Sequence, residues 1–159
     1  MKISILCVGK IKEAFYRDAV AEYAKRISKY ATVDFYEVAD EKTPDNPSSR
    51  ETAKILDAEG ERLLKHPGND AFTVALCIDG KKMDSVAFSE KIEEIKGKGY
   101  SHIRFVIGGS LGLSESVRKA ADLKLSFSDM TFPHQLMRVI LLEQIYRAFR
   151  ISSNEPYHK

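Results

Sequence analysis

The sequence predicts one α/β domain in which a mainly parallel sheet is covered by helices on both faces. Two observations carry this. Short apolar runs alternate with longer segments whose apolar residues recur every three or four positions, the order expected when parallel strands are joined by crossover helices. At 159 residues, 43% hydrophobic and 30% charged, the chain has the size and mix of one globular unit. No repeat or low-complexity linker divides it, so residues 1–159 are read as a single domain.

The first strand covers residues 3–8, where Ile3, Ile5, Leu6 and Val8 close on Gly9, and Ala14, Phe15, Ala19, Tyr23 and Ile27 then recur at helical spacing. A second strand fits 32–38, and 40–49, with Pro44 and Pro47, reads as a surface loop. The next helix spans 50–65. It stops at His66-Pro67-Gly68, because proline lacks the N–H a helix needs and glycine favours a turn. A third strand (72–78), a third helix (84–96) and a fourth strand (103–107) running into Gly108-Gly109 follow. The order closes with a short helix over 113–121, a fifth strand over 123–127 and a long helix over 133–150. Pro133 suits the first helical position of that last element, where its missing N–H has no intrahelical partner.

Composition excludes several classes. No apolar run approaches the ~20 residues that span a bilayer, and the N-terminus reaches Gly9-Lys10 before a signal-peptide core develops. A cytoplasmic protein with no membrane partner is expected. Cys7 and Cys77 sit in separate apolar runs and read as reduced core residues. The histidines at 66, 102, 134 and 158 show no ligand spacing with each other or with cysteine, so no metal is expected. The net charge of +2 is unevenly spread: residues 1–30 carry seven Lys or Arg against three acids, 31–130 carry 14 against 18, and 131–159 carry four against two. Basic ends that meet in space would form the patch a nucleic-acid backbone requires; apart, they are solvated helix faces.

Four segments could carry chemistry. Phe105 to Gly112 is a buried strand emptying into a glycine-rich loop, where missing Cβ atoms let backbone amides approach a ligand. It lacks the Gly-Lys-Ser/Thr ending of a P-loop and the spacing of a dinucleotide fingerprint, and the competing reading is a plain turn. Leu125 to Gln135 places Phe127, Met130 and Phe132 in a short connector, able to wall a flat aromatic ligand or to pack under the sheet. In the final helix, apolar residues from Leu136 to Phe149 spread beyond one stripe, so a second covering surface is needed and a symmetric dimer would supply it. Arg138, Arg147 and Arg150 interrupt this surface with forked donors suited to phosphate. The end Pro156-Tyr157-His158-Lys159 combines a stiff residue, an aromatic and a titratable ring, unlike the usual polar terminus.

Taken together, Val8-Gly9-Lys10-Ile11-Lys12, Phe105 to Gly112, Leu125 to Gln135, Glu143 to Phe149 and Pro156 to Lys159 resemble the RlmH family of ribosomal RNA large-subunit methyltransferases, within the SPOUT or α/β-knot superfamily. The resemblance spans essentially the whole chain. It implies a C-terminal trefoil knot, a rare exception to ordinary connection rules. It also implies N3-methylation of a pseudouridine in a 23S rRNA stem-loop at the ribosomal subunit interface, with S-adenosylmethionine as donor. Carried over by position, the donor site comprises Leu76, Gly108 and Phe127, Ser128, Asp129, Met130, Thr131 and Phe132. The catalytic candidates are His158 and Tyr157 in the tail and Arg147 in the final helix, with His158 as base, and the tail of one subunit is expected to complete the site of the other. One departure stands out: many relatives carry Arg-Gly where this chain has Ser153-Asn154, and asparagine tolerates the left-handed backbone that such a bend needs. Two rival readings are a non-enzymatic RNA-binding module and a binder of another nucleotide, such as a flavin.

Overall fold

A computed structural model describes residues 1–66, 68 and 70–159. The elements are β1 (Lys2–Val8), α1 (Ala14–Ile27), β2 (Thr32–Val38), α2 (Ser49–Leu64), β3 (Phe72–Lys82), α3 (Ser85–Gly97), β4 (His102–Ile107), α4 (Glu115–Ala120), β5 (Leu123–Ser126) and α5 (His134–Ser152). Every expected element is present. The five strands form one sheet in the order β2-β1-β4-β3-β5, and each neighbouring pair is parallel. Ser48, Asp84 and Ser114 cap α2, α3 and α4 by accepting the N–H of Glu51, Ala87 and Val117, a contact worth about 1 kcal/mol each.

Strand alternation sorts the core into two layers. Ile3, Ile5, Cys7, Ile103, Phe105 and Ile107 face α1, α3 and α5, whereas Leu6, Val8 and Val106 face α2 and α4 through Leu63 and Val117. Helices thus cover both faces. Leu141, Leu142 and Ile145 of α5 are fully buried because α1 and α3 flank that helix over the sheet. The chain itself therefore takes much of the apolar surface that the sequence assigned to a partner. Leu136, Val139, Ile140 and Tyr146 remain half-exposed at its rim.

Pro67, part of the expected stop after α2, lies outside the described residues. Two local features differ from expectation. Strand β3 continues past Ile78 to Lys82: its pairing with Leu125 shifts from Leu76 to Lys81, so residues 77–80 arch away from the sheet. The Ser126 hydroxyl donates to the Ile78 carbonyl (2.7 Å), and Arg118 grips Asp79 with two bonds of 2.9 and 2.8 Å, so the arch is pinned from both sides. Where it rejoins the sheet, a Cβ on Gly80 would lie 2.8 Å from the β5 backbone, which only glycine avoids. Finally, Pro133 is the N-cap of α5 and not its first helical residue, because its ψ of 135° is extended; its carbonyl takes the first intrahelical bond from Met137 (2.9 Å).

Candidate functional site

A cavity of about 640 Å³ opens at the carboxyl ends of β3, β4 and β5, within the range of small-molecule sites. Carboxyl strand ends are where open parallel sheets present ligands. The arch after Leu76, the loop 108–112 and the connector 127–134 form its walls. Leu76, Gly108, Phe127, Ser128, Met130, Thr131 and Phe132 of the expected donor set all line it. Asp129 does not: its side chain is 80% exposed and turned outward, where its carboxylate accepts from Lys82 Nζ at 2.6 Å. The free cysteines are both buried, and Cys77, expected only in the core, also lines the cavity.

The glycine loop is shaped for close approach. A Cβ on Gly108 would sit 2.3 Å from the Gly112 carbonyl oxygen, and the turn closes with the Gly112 N–H bonding the Gly109 carbonyl at 3.1 Å. Gly112 holds φ at +90°, a conformation costly for other residues. In the connector, the Ser128 hydroxyl accepts the Met130 N–H at 3.0 Å, forming a tight side-chain-to-backbone turn that leaves the Met130 side chain 73% exposed at the lip.

His134, unassigned from sequence, joins the wall where α5 begins. Burial, then the Arg138 guanidinium, pushes its imidazole below the usual range. Its sequence signals were its place directly after the helix-starting Pro133 and within the run Leu125 to Gln135. Arg138 is no phosphate ligand. It is 2% exposed and turns its two terminal nitrogens inward, on Glu37 (2.8 Å) and the Gly9 carbonyl (2.6 Å), tying α5 to the ends of β1 and β2.

The opposite end of α5 carries the tail. Asn154 adopts φ 53°, and the N–H groups of Asn154 and Glu155 bond the carbonyls of Ile151 (3.0 Å) and Arg150 (2.9 Å), a Schellman motif with asparagine in place of glycine. The motif folds the tail back along the helix. Arg150 then pairs with Glu155 (2.5 Å) and bonds the Pro156 carbonyl (3.1 Å), while Lys29 and Tyr30 also reach Glu155. The basic chain ends therefore do meet, although Glu22, Glu143 and Glu155 pair with part of their charge. Arg147 lies over the Tyr157 ring (4.7 Å), bonds Glu143 (2.6 Å) and donates to His158 Nδ1 (3.3 Å). The Tyr157 hydroxyl donates to Glu143 (3.1 Å), and burial beside that carboxylate pushes its pKa up to about 12, so it stays a phenol.

The three catalytic candidates are thus together, but away from the cavity. From His134 to Arg147 the helix rises roughly 20 Å at ~1.5 Å per residue. Among the described residues, no helix is long and apolar enough to cross a membrane, and no three of His, Cys, Asp and Glu gather as metal ligands.

A parallel sheet in this order, with a glycine loop and an aromatic connector around a cavity at its carboxyl edge, defines a class of protein. A family model described as "Predicted SPOUT methyltransferase" matches residues 1–158, and the chain belongs to the SPOUT methyltransferase family. It is 57% identical to the ribosomal RNA large subunit methyltransferase H of Bifidobacterium animalis subsp. lactis (strain AD011) and 58% identical to that of Clostridium botulinum (strain Kyoto / Type A2), over the full length of every chain. Within the superfamily, the chain belongs to the RlmH family. More distant solved structures share the fold. The tRNA (m1G37) methyltransferase of Aquifex aeolicus superposes with a TM-score of 0.50 at 13% identity, covering 92% of this chain and 70% of that one. A Legionella pneumophila protein solved in complex with SAM gives 0.52 at 12%, covering 93% and 66%.

Proposed function

We propose that this chain transfers a methyl group from S-adenosylmethionine to N3 of a pseudouridine in a 23S rRNA stem-loop at the ribosomal subunit interface. In this reading it acts as a cytoplasmic homodimer whose C-terminal segment forms the family's trefoil knot. The observation that carries the reading is the cavity at the carboxyl edge of the sheet, in a chain that matches RlmH relatives from end to end. The residues fit the donor. Phe127 and Phe132 offer flat apolar walls for a purine, and the backbones of 108–112 and 127–132 offer polar groups for its edge and for the amino-acid portion. The donor supplies an electrophilic methyl on a sulfonium centre.

The chain's own task is to hold the acceptor nitrogen in line with that methyl and to manage its proton. Arg147, Tyr157 and His158 lie too far along α5 to act at the cavity of their own subunit, which supports completion of each site by the partner's tail. Arginine only donates, so in this contact His158 Nδ1 accepts from Arg147 and Nε2 is the ring nitrogen left to donate. His158 then presents a donor to a carbonyl oxygen of the base, instead of the acceptor that sequence reasoning assigned. Tyr157 and Arg147 would steady that oxygen as negative charge develops. In solution, the protein should sediment as a dimer and bind S-adenosylmethionine calorimetrically, and nucleoside analysis of treated large subunits should show one new methylated pseudouridine. A dimer that binds RNA and no donor would leave the RNA-binding module as the reading.

A further inference from the structure

Resting on that reading, the geometry points to His134 as the catalytic base, taking the proton from the target nitrogen in the cavity of the donor-binding subunit. Three observations place it there. First, Cys77 and His134 are the cavity-lining residues with ionisable side chains, and burial holds the Cys77 thiol in its protonated form. Second, the ring stands where the cavity meets the loop after β1: a Cβ on Gly9 would lie 3.6 Å from its Nε2, and the adjacent Gln135 side chain accepts the Lys12 N–H at 2.8 Å. Third, no described residue hydrogen-bonds the ring: of the Arg138 donors in this corner, the two terminal guanidinium nitrogens go to Glu37 and to the Gly9 carbonyl, and Nε is buried without a partner.

The charged groups around the ring come from every neighbouring element: Arg138 on α5, Lys12 and Glu13 after β1, and Asp40 after β2, with Glu37 already held by Arg138. Burial and Arg138 lower the affinity of the ring for a proton, Asp40 and Glu13 partly oppose them, and the N-terminus of α5 adds a further positive potential. The ring is therefore neutral at pH 7 and able to accept. As the target nitrogen bonds to the methyl carbon, the carbon–sulfur bond breaks with its electron pair left on sulfur. The N–H bond breaks as its proton passes to the imidazole, so the positive charge that entered as sulfonium leaves as imidazolium. Labour is divided: His134 accepts, while His158 donates from the partner's tail.

The experiment is the pH dependence of kcat for wild type, His134→Gln and His158→Gln on large ribosomal subunits at saturating S-adenosylmethionine, with donor affinity measured by calorimetry alongside. Wild-type kcat should fall on the acid side as His134 protonates. His134→Gln should lose about 100-fold or more in kcat, keep its donor affinity within a few-fold and show no acid limb, whereas His158→Gln should keep that limb. An NMR titration of the His134 ring in the wild-type dimer gives a check that needs no variant, because its midpoint must coincide with the limb. A limb that survives in His134→Gln, a ring midpoint away from it, or a loss explained by weaker donor binding would overturn the assignment. Failure of the wild type to bind donor or transfer methyl would instead defeat the functional reading beneath it.

Discussion

The two ends of α5 are built in opposite ways. At the His134 end, contacts come from backbone and apolar walls: a glycine turn, an arch of β3 and a connector with two phenylalanines. All of these walls come from one chain. At the Arg147 end, contacts come from charged side chains that already satisfy one another, with Glu143 holding Arg147 and Tyr157 and Glu155 holding Lys29 and Arg150. These groups do not line the cavity at the His134 end. The difference separates two quantities that enzymes often merge, since donor affinity should belong to one subunit and turnover to two.

The sharpest way to break that separation is complementation. At a donor concentration that saturates wild type but lies well below what the Gly108→Ala variant needs, a subunit lacking residues 156–159 and a Gly108→Ala subunit should each turn over little as homodimers, yet mixed dimers should recover turnover because one site keeps both an intact cavity and an intact partner tail. Mixed dimers without activity would show that each chain needs its own tail. Next comes Gly108→Ala alone, whose Cβ would collide with the Gly112 carbonyl and open the turn. Donor affinity should drop about 100-fold, equivalent to ~2.7 kcal/mol. Tyr157→Phe should do the reverse, lowering kcat while calorimetry finds donor affinity unchanged. Smaller still is the effect on the helix joining the ends. Arg138→Met should cost about 2 kcal/mol in urea unfolding, because the Gly9 carbonyl loses its buried partner while half-exposed Glu37 can rehydrate.

Sequence pattern revealed most of the architecture, for a reason visible in particular residues. Ile3, Ile5 and Leu6 in β1, or Ile103 and Phe105 in β4, are buried on both faces of a parallel sheet, so they form near-continuous apolar runs. Gly9 and Gly108 mark where those runs stop. The arch of β3 left no such mark: Asp79 to Lys82 are polar apart from one glycine, and they are ordered by Arg118 and β5, far along the chain. The outward turn of the Asp129 side chain left no mark for the same reason, since its partner Lys82 is 47 residues away. Arg138 reads as a surface cation until Glu37, 101 residues earlier, is found beside it. Local pattern identifies elements, whereas the direction of one polar side chain depends on neighbours that only the fold supplies.

Asn154 offers the finest test, because a single backbone angle there aims the whole tail. At φ 53° an asparagine is tolerated, a glycine is free, and a β-branched residue is strained by about 1–2 kcal/mol. Asn154→Gly should therefore leave stability and kcat near wild type, while Asn154→Val should lower the urea midpoint and, by undoing the Schellman bonds of Asn154 and Glu155, lower kcat as well. Donor affinity should not move in either variant, because the bend touches nothing at the cavity. If Asn154→Val lost stability and kept full turnover, the tail would be finding its working position by docking on the partner, and its fold along α5 would be a resting arrangement. If both fell together, the bend itself would be what presents Tyr157 and His158 to the neighbouring site.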